Sequence, residues 1–172
     1  MSVKRKKDTD GKYPPALLIA MFRKAAELRN EMNKAGFTDN GGAIHSAERI
    51  LNILGMRLNY PGLNHINNLR NYRAAQFSSD AWELHRRGEK VLIEHISPLR
   101  DLTRKAIEKI DSQVTDESFR RFVKQHFKLA LLSPDETKRL NAQNRSKMHP
   151  SRLLIAGIQV TQKSRSNDRG AR

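Results

Sequence analysis

The chain contains 172 residues, of which 33 are lysine or arginine and 18 are aspartate or glutamate, so its net charge is +15. The absence of cysteine excludes a disulfide scaffold, a cysteine-ligated zinc finger and a thiol nucleophile. No apolar run approaches the roughly 20 residues of a membrane span, and the first residues carry no apolar signal segment. We therefore expect a cytoplasmic protein with no membrane partner and with a polyanion as its ligand.

Both ends of the chain are basic and polar. Residues 1–12 and residues 161–172 each carry a net charge of +3. This composition predicts two disordered tails around a single domain at 13–160. Within that domain we expect a helical half at 13–88 and a half that carries the functional site at 89–160. The remaining net charge of +9 lies on the domain, which favours a basic surface that a polyphosphate can occupy.

The first half is predicted to be helical, because apolar residues recur there at spacings of three and four. Met21, Phe22 and Met32 form a stripe that fits either the core or a dimer seam, so a homodimer remains an open alternative. Four helices are predicted: from Pro14 to Gly36, from about 43 to 58, from 63 to 75, and a short helix capped by Ser79 and ended by Gly88.

The second half is predicted to combine helices with two short strands. The strands are expected at 90–96 and 128–132, and the run 152–160 fits either a strand or a helix. Helices are expected at 99–110 and 116–127, and a third begins at Ser133, where Pro134 and Glu136 complete the start signal. The predicted fold is mainly α, with a small two-stranded, ββα-like element in the second half.

One short motif in the second half could support chemistry. Glu94 and His95 stand at the end of a predicted strand, directly before Ile96, Ser97 and Pro98. A histidine at such a boundary suits a general base, and the adjacent carboxylate could bind a divalent cation such as Mg²⁺. Together they would serve phosphodiester hydrolysis. The alternative is that the two residues simply alternate on a strand, with one solvated and the other hydrogen-bonded in the core.

This motif and the segment that follows 129 resemble the HNH, or His-Me finger, nucleases. The resemblance covers about 91–148. It implies that His95 is the general base, that Glu94 is a metal ligand, and that the last ligand is Asn141 or Asn144 on the helix after the second strand. It also implies Mg²⁺ or another divalent metal as cofactor and a positive patch that holds the duplex.

Four features depart from the usual pattern of that family. The acidic residue is Glu94 rather than aspartate, the chain has no cysteine pairs, and no middle asparagine can be assigned. In addition, the predicted strands are separated by two predicted helices at 99–127, where the family usually has a compact loop.

Basic residues concentrate in the second half and predict a nucleic-acid-binding surface there. The alternative for any one of them is an ordinary solvated face. The predicted contacts are Arg100, Arg104, Arg121, Lys124, Lys128, Lys138, Arg139, Arg145, Lys147 and Arg152.

Three functions therefore remain open from the sequence. The first is a metal-dependent, HNH-like endonuclease from a mobile element or a defence system. The second is a non-catalytic basic helical protein that binds DNA or RNA. The third is a small basic inhibitor of an acidic protein partner.

Overall fold

Residues 13–162 are described by a computed structural model, in which helices surround a small sheet. The prediction of a mainly α fold with a minor sheet is confirmed. The elements are α1 (Pro15–Lys34), α2 (His45–Asn59), a 3₁₀ helix (Ile66–Asn71), β1 (Gln76–Ser78), α3 (Ser79–Arg86), β2 (Leu92–His95), α4 (Leu99–Asp111), α5 (Asp116–His126), β3 (Leu129–Leu132), α6 (Pro134–Asn144), α7 (Arg152–Ile155) and β4 (Val160–Gln162).

The sheet has four strands in the order β2-β3-β1-β4, rather than the two strands that we predicted. The expected pair is present, since β2 and β3 run antiparallel with His95 opposite Leu129. The additional strands are β1, which is parallel to β3, and β4, which is antiparallel to β1. Both strands are only three residues long, and they pair with segments that lie far apart in sequence. A local hydrophobic pattern therefore does not predict their pairing.

One hydrophobic core joins the two predicted halves of the domain. Its buried side chains come from α1 and α2 as well as from α4, α5 and the sheet. Phe22 of α1 stacks on Phe119 of α5 with their ring centroids 5.2 Å apart. In the stripe that fitted either core or dimer seam, Phe22 is therefore a core residue, whereas Met21 is 39 % exposed.

The start of α6 is fixed by a buried hydrogen-bond network. Ser133 and Glu136 form the predicted capping box, in which each side chain binds the other residue's backbone N–H. The Glu136 carboxylate also accepts a 2.5 Å hydrogen bond from Ser78, which caps α3. The observed cap of α3 is therefore Ser78 rather than Ser79. This network ties α6 to β1 and so fixes the direction in which α6 leaves the sheet.

Three further predictions of local structure need correction. The segment 63–75 contains only a 3₁₀ helix, because its asparagines are weak helix formers and His65 caps the turn by accepting from the N–H of Asn67. The run 152–160, which fitted either a strand or a helix, contains α7 and the first residue of β4, Val160. The two elements are separated at Gly157, whose φ is +68°. Because β4 reaches Gln162, it also takes in the first two residues of the predicted C-terminal tail. Residues 1–12 and 163–172 lie outside the described residues.

Gly55 of α2 lies directly against the ring of Phe127, the residue that follows α5. A Cβ atom at this position would overlap the ring of Phe127. Alanine normally stabilises a helix relative to glycine by about 1 kcal/mol. At Gly55 we expect alanine to destabilise the protein instead, because both the helix and the buried ring would have to move.

We predict that Gly55→Ala lowers the free energy of unfolding by roughly 1–3 kcal/mol. Urea denaturation followed by circular dichroism measures this value. Ser46→Ala, at an exposed position of the same helix, is the control and should leave stability nearly unchanged. A Gly55→Ala protein as stable as the wild type would show that Gly55 and the ring of Phe127 are not packed this closely.

Candidate active site

A cleft of about 600 Å³ opens where β2 ends and α4 begins, and α6 with its following loop forms the opposite wall. The order of the chain explains this arrangement. The ββα-like unit of β2, β3 and α6 brings the end of a strand next to the end of a helix, and α4 leaves from the same point. The lining residues are Asn40, Glu94, His95, Pro98, Leu99, Arg100, Arg104, Asn141, Arg145, Ser146 and Arg152.

His95 is the last residue of β2 and is partly buried in the cleft wall. Its Nε2 lies 2.9 Å from Oδ1 of Asn52 on α2, and its ring packs edge-on against Phe127. Since Oδ1 can only accept, Nε2 carries the proton, and Nδ1 retains the lone pair. Burial, and secondarily the positive charge of Arg152, lowers the pKa of His95 to about 4. The imidazole is therefore neutral near pH 7.

Glu94 is half-buried and supplies the single carboxylate among the residues that line the cleft. Burial raises the pKa of this carboxyl group, and the positive charge of Arg152 opposes that shift. The alternative of a simple alternation along the strand fits in part, because His95 is hydrogen-bonded to Asn52 and packs against the core residue Phe127. Glu94 is half-buried rather than solvated, and both residues line the cleft.

Of the two candidate asparagines, Asn141 lines the cleft and Asn144 does not. The amide oxygen of Asn144 accepts a 2.9 Å hydrogen bond from the backbone N–H of Lys147, so it stabilises the turn after α6. Asn141 is half-buried and makes no side-chain hydrogen bond with another residue in the range 13–162. Its amide is therefore open to a ligand in the cleft.

Arg152 is buried between β2 and α6, a position that its charge alone did not predict. Its side chain is only 3 % exposed. Nη1 donates to the carbonyl oxygens of His95 and Ile96 at 2.9 and 3.2 Å, and Nε donates to the carbonyl of Asn144 at 2.8 Å. We predicted a phosphate contact here, but the guanidinium is engaged with the backbone. It clamps the end of β2 to the end of α6.

The other arginines of the cleft differ in how far they are neutralised. Arg100 forms a bidentate ion pair with Glu48 of α2, and Arg104 pairs with Asp39 at 2.8 Å. Asp39 also binds Arg29, whose hydrogen bonds are the main cause of the lowered pKa of Asp39, about 2. Arg145 is exposed and forms no ion pair with a described residue. Four arginines and one glutamate line the cleft, so its lining carries a net positive charge, although Glu48 and Asp39 behind it neutralise two of the arginines.

The remaining predicted contacts lie outside the lining of the cleft. Arg121 pairs with Glu117 on α5, and Arg139 donates to the carbonyl of Ala156. Lys128 does not share the α5 face with Arg121 and Lys124 as predicted, because α5 ends at His126. The exposed cations in this group are Arg121, Lys124, Lys128, Lys138, Arg139 and Lys147.

Sequence reasoning missed the contributions that come from distant parts of the chain. Asn52 binds His95 across 43 positions, and Asn40 accepts from Arg100 across 60 positions. Buried Asp101 accepts from the backbone N–H of Met148 and so anchors the loop that carries Arg145. A polar residue on the inner side of an amphipathic helix, as at Asn52, is the one signal that was present in the sequence.

The oxygen donors of the cleft suit a hard divalent cation that binds together with substrate. They are the carboxylate of Glu94, the amide of Asn141 and the hydroxyl of Ser146. Over residues 13–162, no group of three or more histidine or acidic side chains is arranged to hold a metal ion. Mg²⁺ typically takes one or two carboxylates plus substrate phosphates and keeps several waters. The donor set fits that mode and does not fit an all-protein cage.

Comparison of the chain with models of known protein families, with curated proteins and with solved structures finds no match. None of the helices within 13–162 has the length and apolar character required to cross a bilayer.

We predict that His95 makes stability fall in acid. Its pKa is about 4 in the folded protein and 6.5 ordinarily, so the unfolded chain takes up a proton that the folded protein does not. Lowering the pH from 6.5 to 4 therefore favours unfolding, by up to roughly 3 kcal/mol from this residue.

Urea denaturation at a series of pH values tests this prediction in wild type and in His95→Gln. The variant should lose less stability between pH 6.5 and pH 4, while above pH 7 the difference between the two proteins should be constant. Equal pH slopes in both proteins would mean that His95 is not held as a neutral ring.

Proposed function

We propose that this protein is a metal-dependent endonuclease that hydrolyses phosphodiester bonds, as the resemblance to HNH nucleases implies. The observation that carries the proposal is the position of His95. It is a neutral histidine with a fixed tautomer, and it lines one cationic cleft together with Glu94 and Asn141. A general base, oxygen donors and phosphate-binding cations are the parts that such hydrolysis requires.

His95 would act through the nitrogen that Asn52 does not occupy. Nδ1 takes a proton from the attacking water, the water oxygen bonds to phosphorus, and the leaving oxygen departs and is protonated by solvent. The low pKa of His95 keeps this nitrogen unprotonated near pH 7. A phosphate in the cleft adds negative charge next to the ring, which raises the pKa toward the range in which a base is most effective.

The remaining lining residues would bind and orient the substrate. Glu94 and Asn141 would hold a divalent cation, which when bound neutralises charge on the phosphate and the leaving oxygen. Arg145, with no carboxylate partner among the described residues, is the best-placed phosphate contact on the cleft rim. Arg152 would act indirectly, because it holds the backbone on both sides of the cleft.

Plasmid cleavage in the presence of Mg²⁺ or Mn²⁺ tests the proposal. We expect His95→Ala to reduce the rate by about 10²–10⁴-fold, the usual contribution of a general base. Glu94→Gln and Asn141→Ala should also lose activity, and all three variants should still bind DNA. His126→Ala is the matched control, since His126 lies on α5 and does not line the cleft.

If His95→Ala cleaves as fast as the wild type, the endonuclease proposal is wrong. If no divalent cation supports cleavage although the protein binds DNA, the non-catalytic binding function replaces it.

The salt dependence of binding provides a separate prediction. The logarithm of affinity should fall steeply with the logarithm of salt concentration, because each neutralised phosphate releases counterions. Arg145→Gln should make the slope shallower by about one unit. Lys24→Gln, which removes an exposed charge on α1 outside the cleft, should leave the slope unchanged. A flat wild-type slope would favour an acidic protein as the partner.

A further inference from the structure

The cleft continues along α2 as two smaller hollows. The first, of about 330 Å³, shares His95 and Leu99 with the cleft. The second, of about 290 Å³, shares Arg49 and Asn52 with the first. Because neighbouring hollows have lining residues in common, the three lie side by side from the ββα-like unit to the N-terminal half, and we call the three together the track. We call the hollow farthest from the cleft the α2 hollow.

The α2 hollow combines an apolar interior with a polar and cationic rim. The arrangement follows from the helix period, since Arg49, Ile53 and Met56 are spaced four and three residues apart and share one face of α2. The loop after α2 closes the other side. The apolar lining is Ile53, Met56, Leu63 and Ile66, and the polar lining includes Arg49, Asn52, Arg57, Asn64 and His65.

The two arginines on the rim are available to a ligand. Neither Arg49 nor Arg57 forms an ion pair with an acidic residue in the range 13–162, in contrast to Arg100 and Arg104 in the cleft. They are eight residues apart, which on an α-helix corresponds to about 12 Å. Glu48 also lines the first hollow, where Arg100 neutralises it, so the unpaired positive charge along α2 is that of Arg49 and Arg57.

We propose that this track binds an unpaired segment of nucleic acid that continues from the bond to be cleaved, and that the α2 hollow receives one of its bases. The apolar lining and the cationic rim are complementary to such a strand. In a duplex the bases are paired and stacked against each other, so an apolar hollow accepts a base from an unpaired strand without the few kcal/mol that unpairing and unstacking cost. The arginines would bind the phosphates of that strand, and the amides of Asn52 and Asn64 can bond to the edge of the base. The preferred substrate is thus a nucleic acid with a single-stranded segment, and this inference rests on the proposed function for the cleft.

Binding without divalent cations tests the inference independently of catalysis. Fluorescence anisotropy would compare a blunt duplex with the same duplex extended by a single-stranded overhang. We expect the wild type to bind the overhang probe more tightly. The double variant Arg49→Gln/Arg57→Gln should lose about tenfold in affinity for the overhang probe and much less for the blunt duplex. The control is Arg86→Gln/Arg87→Gln, which removes two charges from the end of α3, outside the track, and should leave this preference unchanged.

A second measurement examines the hollow itself. A 2-aminopurine placed in the overhang changes its fluorescence when it leaves the base stack. We expect this change with the wild type and its loss with Ile66→Ala. Circular dichroism would confirm that the variant is folded, and if it is not, the arginine variant alone decides the question.

The outcomes separate the two proposals. If Arg49→Gln/Arg57→Gln binds both probes as the wild type does, or weakens both equally, the track does not select unpaired strands and the inference is wrong, even if the cleft cleaves plasmid. If the overhang preference depends on these arginines but no cleavage occurs with Mg²⁺ or Mn²⁺, the strand-binding track stands and the endonuclease proposal fails. Absence of binding to either probe at low salt would overturn both.

Discussion

The cleft depends on the buried guanidinium of Arg152. Three backbone carbonyl oxygens, those of His95, Ile96 and Asn144, accept hydrogen bonds from this one side chain. A strand end and a helix end each leave carbonyls without partners in their own element, and here a single planar donor satisfies both ends at once. The desolvation of the guanidinium, which lowers the pKa of Arg152, is offset by these hydrogen bonds and by the charge of Glu94.

The same charge influences the chemistry of the neighbouring residues. Arg152 disfavours the protonated form of His95 and favours the ionised form of Glu94, whereas burial disfavours the charged form of both. For His95 the two effects act in the same direction, and the ring is neutral. For Glu94 the two effects oppose each other, so any further positive charge that enters the cleft would stabilise the ionised carboxylate. One buried cation thus holds the backbone in place and shifts the pKa values of two adjacent side chains.

Features that depend on neighbouring residues could be predicted from the sequence, whereas features that depend on long-range contacts could not. The capping box at Ser133, the strand that ends at His95 and the helix that follows Pro98 were all predicted, because each depends on neighbouring residues. The helix predicted at 63–75 is wrong because spacing was weighed above the low helix propensity of asparagine. Strands β1 and β4 and the Asn52–His95 hydrogen bond depend on long-range contacts, for which one sequence has no periodic signal. The charge of an arginine or lysine did not predict its position in the structure, since Arg152 is buried and several predicted contacts lie outside the cleft.

The segment between β2 and β3 makes its polar contacts with the N-terminal half of the domain. The two strands are separated by α4 and α5 rather than by a compact loop. Asn52, from α2, forms a hydrogen bond with His95, and Glu48 and Asp39 form ion pairs with the arginines in the first turns of α4. These contacts can exist because α2 packs against α4 and α5 in one core. The ββα-like unit is therefore not self-sufficient here. Helices α4 and α5, which separate its strands, supply the surface on which α2 packs, and α2 supplies the side chain that bonds to His95.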